Sequence, residues 1–154
     1  MADIDRAERE RGAARAIKVD STCTMAAACT AAGALFVYFS SDAVFSGTAD
    51  CYGEEDAVGP LNWYGHTKAE GEKAGCAACP AAATVRPSLA LGFFVTGAGN
   101  SFFAALESKL REGREAICPA DEMRTPIDVL ALSERILKLL AMRPCSWGIP
   151  RRSS

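Results

Sequence analysis

The sequence predicts an α/β chain in which a parallel sheet is flanked by helices. Three observations predict it. Residues 34–39, Ala-Leu-Phe-Val-Tyr-Phe, are apolar on both faces, as a strand between two helix layers must be. Helix, strand, loop, helix and strand patterns follow one another from residue 4 to residue 86, the grammar of an α/β sheet. The segment after the first strand, residues 40–59, is long and polar, and loops of that length above the carboxyl end of a strand are usually functional.

Residues 4–32 read as helix. Asp5/Arg9 and Arg6/Glu10 stand at i,i+4 spacing on a solvated first part, and an Ala-rich second part runs through Met25 and Cys29 to a natural stop at Gly33. The apolar strand follows and is expected at the centre of the sheet. A second helix should begin between Pro60 and Asn62 and run to about Cys79, where Pro80 stops it, and a short strand occupies residues 83–86. Residues 100–112 form an amphipathic helix with Phe102, Phe103, Leu106 and Leu110 on one side, and residues 115–118 a brief strand. Thr125, Pro126 and Asp128 then supply an N-cap, a proline at the first helical position and an acid in the first turn. The helix they open should bury Val129, Leu132, Ile136, Leu139 and Leu140 and end near Met142. Residues 143–154 carry Pro, Ser and Arg without periodicity and read as a disordered tail.

With 154 residues and a net charge of −2 from seventeen basic and nineteen acidic side chains, the chain has the size of one domain and no field of one sign. Nucleic acid and anionic membrane are therefore not implied as partners, and a small molecule is. No apolar stretch is long enough to cross a bilayer and residues 1–11 are charged, so a cytoplasmic location is expected. Seven cysteines, scattered among alanines, suit reduced thiols acting as small hydrophobes. Cys76 and Cys79 stand at Cys-x-x-Cys spacing, but with no second pair and a single histidine no metal site is expected.

The chemistry resides in three polar residues. Ser41 stands at the mouth of the apolar strand, and Tyr64 and Lys68, four apart, share one helix face. A tyrosine phenol is a poor acid–base group at neutral pH, but an ammonium one turn away is expected to favour its phenolate and pull its pKa down. Tyr64 could then exchange a proton with a substrate oxygen while Ser41 donates a hydrogen bond to the same atom. Such a site reduces a carbonyl only with a hydride, which no side chain supplies, so a nicotinamide cofactor is required. His66, two residues from each of Tyr64 and Lys68, points to another helix face and is read as a solvated or interface histidine.

The run Tyr38-Phe-Ser-Ser-Asp-Ala-Val-Phe-Ser-Gly47, then Tyr52 and Glu55-Asp56, then Pro60-Leu-Asn-Trp-Tyr-Gly-His-Thr-Lys68 with Gly71-Glu72-Lys73, closely resembles the active-site stretch of the dTDP-4-dehydrorhamnose reductases, a branch of the extended short-chain dehydrogenases/reductases. The resemblance covers roughly residues 2–140. It extends to Asp3–Glu8, to Val85-Arg86-Pro87-Ser88 with Gly92, and to Asn100-Ser101-Phe102 and Arg124-Thr125-Pro126. It implies a partial Rossmann-like α/β fold whose N-terminal strands are missing. One partial domain is implied over residues 1–142, with a catalytic segment at 34–79 and a substrate-side segment at 86–142.

By the same resemblance Ser41, Tyr64 and Lys68 take the catalytic places, Tyr64 and Lys68 bind the cofactor, NADP or NAD, and Ser41, Asn100 and Arg124 lie toward the nucleotide-sugar substrate. The activity implied is NAD(P)H-dependent reduction of a 4-keto nucleotide-sugar.

Four departures stand out. Lys18 precedes Val19 where the family usually has an asparagine, Ala43 replaces an aromatic, and Ser46 replaces an acid. The family's strand, glycine turn and helix for the pyrophosphate would precede Met1, so tight cofactor binding is not expected of this chain alone, and whether it turns over is a separate question. Gly97-Ala98-Gly99 lacks the third glycine and reads as a turn. A second reading is a non-catalytic relative resembling the regulatory β subunit of methionine adenosyltransferase, which Ser40-Ser41-Asp42 suits slightly better. The protein partners it allows are the methionine adenosyltransferase catalytic subunit and, for either reading, a second copy of the chain.

Overall fold

A computed structural model of the chain describes residues 3–92, 102–117 and 124–142. The chain divides into two compact units, one ending at Pro87 and one spanning Ser88–Pro144. In the first, α1 (Ile4–Arg9) starts where the Asp3 carboxylate accepts the Arg6 N–H at 2.9 Å, and the expected i,i+4 pair forms between Arg6 and Glu10 at 3.0 Å. The helix then breaks. Glu10 leaves helical geometry, α2 (Arg11–Arg15) resumes, a π-helical turn covers Ala16–Asp20, and α3 (Ser21–Ala32) completes the run. Gly33, at φ 63°, closes it in the left-handed conformation that a side chain would disfavour.

The sequence predicts one helix here and the structure has a wide turn in its middle, for a local reason. The hydroxyls of Ser21, Thr22 and Thr24 bond back to the carbonyls of Ile17, Lys18 and Asp20, which competes with the regular ladder. The freed Lys18 carbonyl also accepts the Tyr38 hydroxyl at 3.4 Å.

After Gly33 come β1 (Val37–Phe39), the long loop, α4 (Trp63–Ala78) and β2 (Ala83–Val85). Strands β1 and β2 are parallel, with Val37 opposite Ala83 and Phe39 opposite Val85, and the pairing extends through Ser40 N–H to Val85 O at 2.8 Å and Asp42 N–H to Pro87 O at 3.2 Å. The core gathers Ala26, Phe36, Tyr38 and Cys79, with Cys29, Ala78 and Ala82 against it. Small side chains let α3 and α4 lie close: a Cβ on Gly75 would meet Phe36 Cε1 and Thr22 Cγ2, each at 3.3 Å.

Among the described residues β1 pairs only with β2, and Phe39 is 47 % exposed, so one edge and part of one face of this apolar strand are uncovered. All five cysteines in the described residues are free thiols, of which Cys79 is buried and Cys76 exposed.

The second unit has strands β3 (Leu89–Leu91) and β4 (Pro126–Asp128), paired in parallel, and helices α5 (Phe102–Arg111) and α6 (Val129–Met142). Here the sequence reading errs by one element. Pro126 is not the first residue of a helix; it opens a strand, where its missing N–H costs little, and Asp128 is the true cap, accepting Leu130 N–H at 2.8 Å and Ala131 N–H at 3.2 Å. Within the described part of the predicted strand at 115–118, residues 115–117, there is no strand. Along α6, Leu132, Ile136 and Leu140 are half-buried, whereas Val129 and Leu139 are exposed, so the apolar stripe is only partly covered. The tail, residues 143–154, lies outside the described residues, as does Asn100. No helix among the described residues is long and apolar enough to cross a membrane.

Candidate active site

The site is built at the carboxyl end of β1. Ser41 leaves the strand in extended conformation and caps a 3₁₀ turn, Asp42–Val44: its Oγ accepts the Ala43 N–H at 3.2 Å and donates to Asp42 Oδ1 at 3.1 Å. Tyr64 enters from the first turn of α4, which Asn62 caps by accepting the Gly65 N–H at 2.8 Å. The helix start is pinned a second time from α1, where Glu8 Oε1 accepts the Trp63 N–H at 2.5 Å, and Trp63 Nε1 donates to the Arg11 carbonyl at 3.1 Å.

Gly65 makes this juxtaposition sterically feasible. A Cβ there would overlap the Ala43 carbonyl oxygen, lying 2.9 Å from its carbon and 3.0 Å from Pro60 Cβ. One turn and a half further along, a Cβ on Gly71 would lie 2.5 Å from the Lys18 carbonyl oxygen and 2.8 Å from Tyr38 Cζ. Two glycines therefore set how near α4 approaches the 3₁₀ turn and the π turn.

Ser41 and Tyr64 do come together. Burial pushes the Tyr64 phenol above the ordinary tyrosine value; the Ser41 hydroxyl, as a hydrogen-bond partner, pulls the other way, and the Asp42 carboxylate adds to the rise. The expected lowering by Lys68 is corrected here. The Lys68 ammonium reaches instead to the Phe39 carbonyl, at 2.5 Å, and lies 5.1 Å from the centroid of the Tyr38 ring. Burial lowers its pKa, against the pull of Glu72, so it is a costly place for a positive charge and the phenol gains no net benefit from it. Lys68 still ends two residues before Ser41 on the strand, so the three groups share one end of β1.

Another lysine lies on the Tyr64 ring. Lys18, in the π turn and 5 % exposed, holds its Nζ 4.0 Å from the ring centroid. That nitrogen is buried and without a hydrogen-bond partner. Sequence reading singled out Lys18 only as a departure; the clue missed was that a π turn would aim it at Tyr64.

Around the site, a buried carboxylate holds the loop. Glu72 and Arg86 pair through two bonds, 2.8 and 2.7 Å, and Arg86 continues to the Glu54 carbonyl at 3.3 Å and over the Phe45 ring at 5.1 Å. Phe45 stacks on Tyr52, centroids 4.3 Å apart, and the Tyr52 hydroxyl accepts the N–H groups of Thr48 and Ala49. Those bonds and that of Ser46 lower the Tyr52 pKa to about 8. Burial pushes Glu72 up, but the bonds and charge of Arg86, with the Ser40 hydroxyl and the Lys68 charge, together outweigh it, and its carboxyl lies below the ordinary value.

Because the folded pKa is depressed, the pair's contribution is full above the ordinary carboxylate range and is lost as pH falls through the folded value. Glu72→Gln is therefore expected to cost about 2 kcal/mol at neutral pH. The difference from the native chain should shrink on acidification, as urea melts at both pH values would read.

His66 is exposed and stacks on Trp63 with centroids 4.9 Å apart, away from the reacting groups, as expected. Arg124 belongs to the second unit and is exposed.

A phenol, a serine hydroxyl and an ammonium at one strand end are a donor set that fits the nicotinamide and ribose end of a dinucleotide. For the pyrophosphate end, no glycine-rich turn opens a helix among the described residues: the left-handed glycines are Gly33 closing α3, Gly47 in the loop and Gly113 after α5.

A solved dTDP-4-dehydrorhamnose reductase of Bacillus anthracis, in complex with NADP, superposes with a TM-score of 0.83 at 32% identity, covering 92% of this chain and 50% of that one. The reductase of Salmonella typhimurium is 33% identical over 132 residues, 85% of this chain and 43% of the relative. Methionine adenosyltransferase 2 subunit beta of Danio rerio is 38% identical over 117 residues, 76% of this chain and 35% of the relative. The chain thus spans half or less of the length of these proteins. The model of the family described as RmlD substrate binding domain matches residues 1–149, and the chain belongs to that family, on the Rossmann-like reductase fold.

Proposed function

We propose that the chain carries the acid–base and substrate side of an NAD(P)H-dependent reductase acting on the 4-keto group of a nucleotide-linked 6-deoxyhexose. The observation that supports this reading most is the approach of Ser41 to Tyr64 at the carboxyl end of β1, in a chain similar to a reductase solved with NADP. Tyr64, held in its acid form through neutral pH by burial, gives its proton to the substrate oxygen. Ser41, fixed by the Ala43 N–H, donates a hydrogen bond to the same oxygen as charge grows on it. Lys68 and Tyr64 would hold the nicotinamide ribose, Lys68 by turning from the Phe39 carbonyl to the ribose hydroxyls. The reduction takes its hydride from the bound cofactor, NADP or NAD. Asn100 and Arg124 would face the nucleotide-sugar, Arg124 as a fork for phosphate oxygens.

The test is reduction of dTDP-4-dehydrorhamnose by NADPH and by NADH, followed by loss of absorbance at 340 nm, with saturation-transfer NMR of the same ligands as the binding readout. Neither turnover nor ligand signal from the folded chain would sink the reading.

The similarity to methionine adenosyltransferase 2 subunit beta favours a second reading, in which this surface serves a catalytic subunit instead of a substrate. Size-exclusion chromatography with a methionine adenosyltransferase catalytic subunit separates the two. Co-elution without reductase turnover supports the second, and a chain that elutes alone or as a dimer supports the first.

A further inference from the structure

The buried amine of Lys18 has a place in the site that the reading above leaves unused. Its stem lies in the π turn, its nitrogen lies on the face of the Tyr64 ring at 4.0 Å, and no acceptor receives its protons. An ammonium with three donors and no acceptor is a costly thing to bury, and a packed apolar side chain would fill the same volume without that cost. The aromatic face is what it has in exchange. Tyr64 presents that face only because Gly65 and Gly71 bring α4 against the 3₁₀ and π turns.

We propose that Lys18 is a positioning residue for Tyr64, a cation on the ring face that steadies negative charge on the phenol as its proton departs. A phenol ring attracts a cation through its quadrupole, and a phenolate attracts it with a full charge as well, so the interaction strengthens as the Tyr64 O–H bond breaks. The proton passes from Tyr64 Oη to the acceptor oxygen, the electron pair stays on Oη, and Lys18 keeps its own proton. This assigns to Lys18 the electrostatic support that sequence spacing gave to Lys68, whose nitrogen is engaged by the Phe39 carbonyl.

The charged and titratable groups on the elements packed against this turn include Tyr64, Lys68 and Glu72 of α4 and Tyr38 of β1, whose hydroxyl bonds the Lys18 carbonyl, and of these it is the charge of Lys68 that acts on the amine. Burial, and then the Lys68 charge, bring the Lys18 pKa down to about 8. The cation is therefore present at neutral pH and withdrawn just above it, below the range in which the raised Tyr64 titrates. The support is available where a neutral-pH reaction needs it and absent in strong alkali.

The inference rests on Tyr64 as the acid–base group, yet it can be tested without turnover, so its failure and that of the reductase reading are distinguishable. The full chain is labelled with ¹³Cζ-tyrosine, the Tyr64 resonance is assigned with Tyr64→Phe, and shifts are followed from pH 6 to pH 12. In the native chain the Tyr64 resonance should show a first inflection near pH 8, as the ring loses its cation, well before its own ionisation. Lys18→Met should erase that inflection. Lys18→Arg should erase it too but leave a permanent charge on the ring, raising the phenolate population at fixed alkaline pH roughly tenfold. A native Tyr64 signal with no inflection near pH 8, or one that survives Lys18→Met, overturns the proposal. So does a Lys18→Arg chain whose Tyr64 ionises at or above the native pH, and this arm decides the matter should the methionine variant not fold.

Discussion

Tyr64→Phe is expected to lower kcat for NADPH-dependent reduction of dTDP-4-dehydrorhamnose by roughly 10²- to 10⁴-fold, the range for removal of a positioned general acid. The structure makes this a clean substitution. Losing the phenol oxygen strands no partner, because the Ser41 hydroxyl keeps its bonds to Asp42 Oδ1 and the Ala43 N–H, and the ring itself stays beneath Lys18. Stability should thus change by no more than about 0.5 kcal/mol, within the range for positions away from buried polar networks. Paired measurements of kcat and of the thermal midpoint check both halves. A chain with native midpoint and native kcat would remove Tyr64 from the chemistry, and a collapsed midpoint would make it a structural residue.

The largest effect on stability is expected at Gly65. In Gly65→Ala the new methyl would overlap the Ala43 carbonyl oxygen and lie 3.0 Å from Pro60 Cβ. These are backbone and ring atoms that cannot rotate aside. The 3₁₀ turn and the first turn of α4 must separate, which breaks the packing around Val44, one of the fully buried side chains. Overpacking of this kind costs roughly 3 kcal/mol, and for a unit of this size that is a fall of about 12 °C or more in the melting midpoint. Differential scanning fluorimetry of Gly65→Ala beside Gly12→Ala, where an added Cβ meets nothing within 4 Å, supplies the control. Equal midpoints for the two variants would show that α4 is not seated against the turn as described. Because Ser41 caps that turn, the same substitution should also lower kcat beyond what the unfolded fraction explains.

Much of this arrangement was legible in the residues themselves. Asn62 ahead of Trp63, Gly33 after the alanine-rich helix and the apolar run through Val37-Tyr38-Phe39 each fixed an element by local physics, and Ser41, Tyr64 and Lys68 were named from their spacing together with the family resemblance of the residues around them. What escaped was non-local. The pairing of Leu89–Leu91 with Pro126–Asp128 joins residues 37 apart, and nothing in the local chemistry of Pro126 distinguishes a helix start from a strand at the edge. Lys68 was expected to act on the phenol one turn away, but where a long side chain ends depends on which carbonyl lies within reach, and that is the carbonyl of Phe39. The same applies to Lys18. Its aim at Tyr64 requires both the turn geometry of its own helix and the glycines of another.

The five-residue turn Ala16–Asp20 also sets a rule for what lengths the chain tolerates. A π turn holds one residue more than the α-helical winding on either side of it, so deleting a single amino acid there would let the helix regain its regular winding with little change of phase between the flanking segments. Ala7 and Ala14 would keep their buried places, and Glu8 the amide it caps. A one-codon deletion in this stretch should therefore be tolerated far better than one in the regular part of α3, where the loss of a residue turns everything before it by about 100°.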